Sequence, residues 1–312
     1  MLQSSLHSKK ATTLKPPADS LYLANGDERL EKLPARIGLI AGEGNFPILL
    51  ARAAHSEGVE IVTFGVHGLA HDSLSSYSSK FYTLKLSEMS RLLDLAREHD
   101  IHHVIMAGRV PQGFLLLKQI SFDPRIIRIL AGLRNKKSDS LLGAAVDELA
   151  KEGIEVLDST IFLKSLMPEP GLLTLRTPAS PEIMKDIEFG YPLAKELGRV
   201  DIGQTIAVKD QIVVAVEALE GTDELIKRCH ALAGDGIVFV KVAKPRQDMR
   251  FDVPVIGITT IKNLVAAKAA ALCVTARQSL FFDRPEAIAL AEQHGISIIA
   301  RADVDGEAAI QH

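Results

Sequence analysis

Tryptophan is absent from this 312-residue sequence, and aromatic residues make up only 5% of it. Surfaces that stack the bases of single-stranded nucleic acid are built from aromatic side chains, so the composition argues against such a surface. The formal net charge of −3 at pH 7 also gives no general attraction to the phosphate backbone of DNA or RNA. We therefore expect no nucleic-acid partner.

Cysteine is also scarce. The sequence holds two cysteines, Cys229 and Cys273, and their spacing is not that of a metal site. Cys229 falls in a predicted helix and Cys273 in an apolar run. Because disulfides are rare in the cytosol, we expect both to be reduced core residues of a cytosolic protein.

Long hydrophobic runs are missing as well. No segment approaches the roughly 18 apolar residues that a membrane-spanning helix needs. Residues 1–34 are rich in Ser, Thr, Lys and Pro, and they lack the apolar core of a secretory signal. We expect them to form a flexible N-terminal extension of a cytoplasmic protein. Peripheral contact with a lipid surface is compatible with this composition.

The remainder of the chain reads as a folded α/β protein, with a hydrophobic content of 47% and 24% charged residues. Short apolar runs alternate with amphipathic ones, which predicts a parallel, Rossmann-like sheet. Residues 167–171 hold two prolines and a glycine and predict a linker. A hairpin predicted over residues 205–209 and 212–218, with its turn at Asp210 and Gln211, then indicates a mixed sheet. Helices are also predicted after Glu220, with Thr222 or Asp223 as the cap, and over the alanine-rich residues 260–272. We expect two domains: a Rossmann-like N-terminal domain over residues 35–166, and a catalytic α/β domain over residues 171–312.

A glycine loop, residues 42–47, joins the first predicted strand to a helix predicted over residues 48–57. Asn45 suits the helix cap and Pro47 its first turn. Backbone N–H groups at a helix start bind anions, so Gly44 and Asn45 are candidates for a phosphate or sugar contact. Pro47 replaces the third glycine of the dinucleotide fingerprint, which argues against NAD. A structural tight turn and an NAD-dependent oxidoreductase are the alternatives.

Two further polar residues follow predicted elements of the first domain. Arg109 comes just after a strong strand, where an arginine meets an anionic ligand or covers the strand end with its stem. Ser138 and Asp139 begin a predicted helix that runs to Glu152. Asp139 is most simply a capping residue there, with a ligand role as the alternative.

A dense charge cluster is the 244–252 loop, which lies between two predicted buried strands. Asp248 and Asp252 are candidates to face one metal ion, and Lys244, Arg246 and Arg250 to hold phosphate oxygens. Carboxylates without cysteine or histidine at ligand spacing favour Mg²⁺ over zinc. The residues favour an enzyme that acts on a phosphate-bearing ligand. A solvated loop of self-cancelling charge is the alternative.

Several other acids lie near predicted loop or strand ends of the second half, and they enlarge the set of possible ligands: Asp201, Glu217, Glu220 and Asp223. No Gly-x-Ser-x-Gly elbow and no Walker A loop is present, which excludes the usual serine hydrolases and P-loop enzymes.

Five blocks of sequence, taken in order, carry a family resemblance. They are Gly-Leu-Ile-Ala-Gly-x-Gly-x-x-Pro from Gly38, Ala-Gly-x-Val from Ala107, Asp-Ile-Gly-Gln at 201–204, Val-Glu-Ala-x-Glu-Gly-Thr-Asp at 216–223, and Lys-Pro-x-Gln-Asp-x-Arg-x-Asp-x-Pro-x-Ile-Gly at 244–257. From about residue 36 onward the chain resembles the LpxI-type UDP-2,3-diacylglucosamine pyrophosphatases.

The resemblance implies an activity and a cellular setting. The family hydrolyses the pyrophosphate bond of UDP-2,3-diacylglucosamine, giving UMP and 2,3-diacylglucosamine 1-phosphate (lipid X) in lipid A biosynthesis. It uses Mg²⁺, forms homodimers and encloses its substrate between two domains. The amphiphilic product further suggests a cytoplasmic protein that works beside the inner membrane. A non-catalytic nucleotide-sugar or lipid-binding protein is the alternative.

The resemblance also implies roles for particular residues. Asp252 matches the family's essential aspartate. Taken with the charge cluster itself, this makes Asp248 the expected helper of Asp252, and Lys244 and Arg250 the expected catalytic cations that offset charge growing on the phosphates. Asp252, Asp248 and Asp223 are the expected metal ligands. The expected substrate contacts are Gly44, Asn45, Arg109, Asp139, Gln204 and Thr222.

Overall fold

A computed structural model of the chain describes residues 33–111, 123–132, 138–245 and 247–303. The described residues from Pro34 onward form one compact unit. The predicted extension over residues 1–34 falls outside the described part, apart from residues 33 and 34. It stays a prediction, as do the domain boundaries at residues 166 and 171.

The first part of the chain alternates strands with helices. Its elements are β1 (Arg36–Ala41), α1 (Phe46–Ser56), β2 (Glu60–Val66), a 3₁₀ helix (Asp72–Tyr77), β3 (Lys80–Leu84), α2 (Met89–Glu98), β4 (His103–Ala107), α3 (Pro124–Gly132), α4 (Ser138–Lys151) and β5 (Glu155–Val156). The strands form one parallel sheet in the order β3-β2-β1-β4-β5. This order is typical of Rossmann-like sheets and confirms the predicted fold of this half.

Apolar burial on both faces explains the central strands of this sheet. Strand β2 is buried at every position after Glu60, as a strand covered by helices on both sides should be. Helix α2 contributes Leu92 and Leu93, which join Phe64 of β2 in one hydrophobic cluster. The sheet is therefore held from its centre, and its loops at the strand ends are left for function.

The second part of the chain forms a mixed sheet. Its elements are a 3₁₀ helix (Lys164–Leu166), β6 (Gly171–Leu172), α5 (Pro181–Arg199), β7 (Thr205–Lys209), β8 (Ile212–Val216), α6 (Thr222–Ala233), β9 (Val238–Lys241), β10 (Val255–Ile256), α7 (Ile258–Ala266), β11 (Ala271–Thr275), β12 (Leu280–Phe281), α8 (Arg284–Gln293) and β13 (Ser297–Arg301). Six strands lie in the order β6-β13-β11-β9-β7-β8, and β10 pairs separately with β12. Strands β9, β11 and β13 are parallel, whereas β6, β7 and β8 run antiparallel to their neighbours. The predicted mixed sheet is confirmed.

The hairpin between β7 and β8 turns at the predicted position. Asp210 and Gln211 have φ angles of 51° and 58°. Two successive positive φ angles are typical of the two-residue turn whose twist matches that of its strands. The Asp186 carboxylate of α5 accepts both turn N–H groups, at 3.1 Å from Asp210 and 2.6 Å from Gln211. A buried acid therefore supports a turn that few residues adopt unaided.

Two predicted helix caps are wrong. Asn45 makes no side-chain cap bond, because its φ of −80° and ψ of −17° are already helical, whereas a capping side chain needs an extended backbone. Helix α6 begins after Gly221, with a φ of 82°, and neither Thr222 nor Asp223 is its cap. The Thr222 hydroxyl is instead bonded inside the protein.

One predicted helix is too long. Alanine-rich residues 260–272 favour a helix, but α7 ends at Ala266 and Lys268 has a φ of 47°. Residues from Ala271 pair with β9 and β13 instead. Burial in a central strand here outweighs the helix propensity of alanine.

Both cysteines are buried free thiols in hydrophobic clusters of the second half, Cys229 in one cluster and Cys273 in another, which confirms that they are reduced core residues. Burial raises the pKa of Cys229 to about 11 and that of Cys273 to about 12. Neither thiol is a nucleophile at neutral pH, because only the thiolate reacts.

Candidate functional site

The 244–252 loop belongs to the second half of the chain and contacts the first half. It follows β9 at the carboxyl end of that strand, and Ser159 follows β5 in the first sheet. The backbone N–H and the hydroxyl of Ser159 donate to the Met249 carbonyl at 3.0 and 2.8 Å. Phe251 packs against the hydrophobic cluster of the first sheet. The loop is therefore fixed from both sides.

The glycine loop also touches the second half. Phe46, at the start of α1, and Phe282, just after β12, place their ring centroids 5.8 Å apart. The carboxyl end of the first sheet thus faces loops from the second part of the chain. Ligands of α/β proteins bind at the carboxyl ends of the strands, so these facing loops are the candidate site.

Lys244 lies at the centre of the charge cluster. Its Nζ is 3.0 Å from Asp201 Oδ1 and 2.9 Å from Asp252 Oδ2, and its side chain is only 16% exposed. The Gln247 side chain accepts from the Lys244 N–H at 2.7 Å and donates to the Asp252 carbonyl. The structure therefore brings Lys244 and Asp252 together, and it adds Asp201 to them.

Asp248 and Arg250 form a separate pair in the same loop. The Arg250 Nε and a terminal guanidinium nitrogen donate to the two carboxylate oxygens at 2.9 and 2.7 Å, and its backbone N–H donates at 3.1 Å. Burial by itself raises the pKa of Asp248, but the bonds from Arg250 outweigh it, and the pKa is lowered overall. Asp248 is therefore ionised at neutral pH, with both oxygens bound to its neighbour.

The third predicted metal ligand has another partner. Asp223 is exposed, and the Asn263 amide donates to it at 2.8 Å. Within the described residues, no three His, Cys, Asp or Glu side chains group as a metal site would require. Arg246 lies outside the described part of the chain. The joint assignment of Asp223, Asp248 and Asp252 to one metal ion stays a prediction.

The chemistry around Asp252 nevertheless suits Mg²⁺. This ion commonly takes only one or two protein carboxylates, with substrate phosphates and water as its other ligands. The Lys244 ammonium 2.9 Å from Asp252 Oδ2 shows that a positive charge is accommodated beside this carboxylate. Asp252 is therefore the carboxylate of this cluster that would hold such an ion, and its assignment as a ligand stays a prediction.

Gln204 and Thr222 belong to a partly buried polar network. The Thr222 hydroxyl donates to Glu217 at 2.8 Å and accepts from Lys241 Nζ at 2.8 Å. Glu217 also accepts the Gln204 N–H at 3.3 Å, while the Gln204 side-chain oxygen is buried without a partner. An orphaned buried acceptor is a group that a ligand can satisfy. Within the described residues the Gln204 side-chain oxygen thus has no partner, whereas the Thr222 hydroxyl already has internal partners.

The glycine loop is held to the segment after β4 by backbone bonds. Glu43 and Arg109 exchange N–H···O bonds of 2.9 and 3.0 Å. Their side chains also pair, with Arg109 Nε 2.7 Å from Glu43, although the Arg109 side chain is 79% exposed. Gly44 has a φ of 94°, which favours glycine. The predicted contacts Gly44, Asn45 and Arg109 therefore lie in adjoining segments.

Asp139 is the second residue of α4, and its side chain is outside the described part of the structure. Its assignment as a cap or as a substrate contact stays a prediction.

Sequence reasoning missed two buried charged residues beside the 244–252 loop. Lys195 Nζ donates to Asp303 at 2.7 Å and to the Ala243 carbonyl at 2.8 Å. A signal for Lys195 was present, because it falls on the buried stripe of α5 with Ile187 and Tyr191. A lysine on an apolar stripe needs a buried partner. The sequence gives no comparable signal for Asp303.

Known proteins resemble this chain to different extents. It is 31% identical to the UDP-2,3-diacylglucosamine pyrophosphatase LpxI of Caulobacter vibrioides over 273 residues, which cover 85% of this chain and 96% of that relative. The GalE-like L-threonine dehydrogenase of Cupriavidus necator aligns over 88% of each chain, at 12% identity and a TM-score of 0.29. The biotin carboxylase domain of the Hydrogenobacter thermophilus 2-oxoglutarate carboxylase aligns over 64% of this chain and 41% of its own, at 15% identity and a TM-score of 0.24. These two structural likenesses are too distant to bear on fold or function.

Family models account for nearly all of the described chain. The LpxI N-terminal domain matches residues 36–166, and the LpxI C-terminal domain matches residues 169–299. Each half of the structure thus corresponds to one of the family's two domains, in the same order. This chain belongs to the LpxI family.

Proposed function

We propose that this protein hydrolyses the pyrophosphate bond of UDP-2,3-diacylglucosamine, giving UMP and 2,3-diacylglucosamine 1-phosphate (lipid X) in lipid A biosynthesis. The observation that carries the proposal is the 31% identity to the Caulobacter pyrophosphatase over nearly the whole of that enzyme. The Lys244–Asp252 contact places an ammonium and a carboxylate at the facing loops. An NAD-dependent oxidoreductase is not favoured by these similarities.

Asp252 is the residue to which we assign the central role. Its carboxylate orients the attacking water toward the reacting phosphorus. Lys244 and Arg250 offset the negative charge that grows on the phosphate oxygens as the bridging P–O bond breaks. Because Lys244 is largely shielded from solvent, its charge acts more strongly than an exposed one would. Asp248 holds the Arg250 guanidinium in place.

The enzyme is proposed to depend on Mg²⁺. Asp252 would hold the ion, and Asp248 and Asp223 are the further predicted ligands. Each of these two has a present partner, Arg250 or Asn263, which it would share or release. A bound Mg²⁺ would neutralise phosphate oxygens of the substrate. Asp252 would then have two positive charges beside it, the Lys244 ammonium and the Mg²⁺ ion.

The glycine loop and its neighbours are proposed to bind the uridine diphosphate. The N–H groups at the start of α1, near Gly44 and Asn45, favour an anion, and Arg109 adds a positive charge. The buried side-chain oxygen of Gln204 accepts a hydrogen bond from the ligand. These contacts bind the nucleotide, while the 244–252 loop acts on the bond that breaks.

We further propose that the protein is a cytoplasmic homodimer in peripheral contact with the inner membrane. The edge strand β8 supports self-association, because Ile212 on it is 66% exposed and Val213 is exposed as well. None of the described helices is long and apolar enough to cross a membrane.

Incubation with UDP-2,3-diacylglucosamine, with and without a metal chelator, tests the proposal directly. We expect release of UMP that stops when the chelator removes Mg²⁺ and resumes when Mg²⁺ is restored. Binding of the substrate without any UMP would instead identify a nucleotide-sugar or lipid-binding protein. A fluorescence titration with NADH checks the oxidoreductase alternative, for which we expect no binding.

A further inference from the structure

The geometry points to Lys195 as a positioning residue for the 244–252 loop. The Asp303 carboxylate binds the Lys195 ammonium. The ammonium in turn donates to the Ala243 carbonyl, and this contact sets where Lys244 lies beside Asp252. The role rests on the proposed function, since it concerns turnover at this loop. Lys195 itself reaches neither substrate nor reacting atoms in this assignment.

Residue 243 is bonded to buried side chains through both of its backbone groups. Its carbonyl accepts from Lys195 at 2.8 Å, and its N–H donates to Thr275 Oγ at 3.0 Å. The Tyr191 hydroxyl lies 3.1 Å from the same Thr275 oxygen. The loop that carries Lys244 therefore begins at a residue that cannot shift without breaking two buried hydrogen bonds.

Helix α5 supplies most of this support. It carries Tyr191 and Lys195, and it also passes directly against Lys244. A Cβ added to Gly198 of α5 would lie 3.3 Å from Lys244 Cα and 3.4 Å from its Cγ. The helix thus positions Lys244 in two ways: Lys195 bonds the preceding residue, Ala243, and Gly198 lets the helix backbone approach Lys244 closely.

Stability alone does not account for the Lys195–Asp303 pair. The two side chains are 7% and 5% exposed, so both charges are almost fully removed from water. Desolvation of such a pair commonly equals or exceeds its Coulombic gain, and apolar residues of similar size are often as stabilising. One Asp303 oxygen is, in addition, buried without a partner among the residues that the structure describes. What the pair provides that apolar residues cannot is a directed donor to Ala243.

The effect on turnover follows from the position of Ala243. It directly precedes Lys244, whose Nζ bridges Asp201 and Asp252. A displacement of about 1 Å in a reacting group can slow a reaction roughly a hundredfold. Substrate binding through the glycine loop is separate from this contact, so the loss should fall on kcat and not on KM.

The double variant Lys195→Met/Asp303→Leu tests the role, because it removes both charges together and leaves neither one buried alone. We expect kcat for UMP release to fall about tenfold to a hundredfold, with KM within about twofold. Hydrogen exchange in a peptide spanning residues 243–252 should become about tenfold faster. If this variant does not fold, Lys195→Gln/Asp303→Asn serves instead, since the shorter amide cannot reach both partners.

Asp186→Asn is the matched control. Asp186 is a buried charged residue of the same helix, but it bonds the hairpin turn at Asp210 and Gln211 and not the 244–252 loop. We expect it to lower the melting temperature while kcat and exchange in residues 243–252 stay at the wild-type level.

The outcomes separate the two proposals. If the wild type releases no UMP, the proposed function fails, and faster exchange of residues 243–252 in the double variant alone still supports the positioning role. If the wild type turns over and the folded double variant keeps both kcat and exchange unchanged, the positioning role is overturned. It is equally overturned if Asp186→Asn lowers kcat as much.

Discussion

The glycine loop and the 244–252 loop occupy similar places but are held in different ways. Each follows a parallel strand at its carboxyl end. Backbone bonds hold the glycine loop: Gly42 N–H donates to the Ala107 carbonyl at 2.8 Å, and Glu43 and Arg109 exchange two bonds. The 244–252 loop depends on side chains in addition to its backbone bonds, through the ion pairs of Lys244 and Arg250 and the Gln247 amide.

The difference indicates which substitutions each loop tolerates. A loop held by its backbone is constrained by the space around it and by its φ angles. Larger residues in place of its glycines should therefore lower stability, whereas most side-chain truncations should change stability little. A loop held by side chains depends on charge and on hydrogen-bond geometry. Its truncations leave partly buried charges unpaired, which is unfavourable unless a second partner remains. The following variants test this contrast, in order of expected effect.

Asp252→Ala should have the largest effect. We expect kcat for UMP release to fall roughly 10³-fold, because the carboxylate acts on the reacting phosphate and Lys244 loses one carboxylate partner while its pair with Asp201 remains. The melting curve should stay close to that of the wild type. Asp235→Ala is the control, since Asp235 is an exposed acid paired with Lys268. Turnover by Asp252→Ala within about tenfold of the wild type would remove Asp252 from the mechanism.

Gly108 packs against the glycine loop, and Gly108→Ala should lower the free energy of unfolding by about 1–3 kcal/mol. Its added Cβ would lie 2.8 Å from Gly42 C and from Pro47 Cγ, at a φ of 93°. Gly44→Ala is the matched comparison, with a φ of 94° and no atom within 4 Å. It should cost less, about 1 kcal/mol for the left-handed backbone alone. Equal losses in urea denaturation would show that crowding is unimportant there.

Asp248→Asn should lower stability in a pH-dependent way. Because the pKa of Asp248 is lowered in the folded state, its pair with Arg250 stabilises the protein above the unfolded pKa of about 3.9 and ceases to do so as the pH falls through the folded value. We expect a loss of about 1 kcal/mol at neutral pH, since both side chains are partly exposed. Urea denaturation at pH 7 and at about pH 3 should show this difference shrinking in acid. A pH-independent difference would assign the loss to packing.

Arg109→Ala should have the smallest effect on stability. Its ion pair with Glu43 is exposed, and such pairs contribute about 0–1 kcal/mol. The backbone bonds to Glu43 remain, so the loop keeps its place. We expect KM for the substrate to rise a few-fold while kcat is unchanged, because a contact to bound diphosphate is lost in ground and transition states alike. A fall in kcat as large as that of Asp252→Ala would show that Arg109 acts in the reaction itself and not only in substrate binding.

The fold was largely predictable because its signals are local. Apolar runs such as β1 and the turn at Asp210 and Gln211 depend on neighbouring residues, and both lie where expected. The overlong helix at residues 260–272 shows the limit of this approach. There, pairing of Ala271 and Leu272 with distant strands overrides local propensity. The 244–252 loop was found because its charges lie close together in sequence, and its resemblance to a known family assigned Asp252 the central role.

By itself, the sequence determined the strands, their alternation with helices, and the location of the charge cluster, since all of these follow from composition over a few residues. Only the tertiary structure decided the partners within the cluster: Lys244 with Asp252 and Asp201, and Asp248 with Arg250 alone. It also decided that Lys195 meets Asp303 across more than a hundred positions of chain. Such pairs depend on where the chain returns in space, and that is set by packing of the whole core.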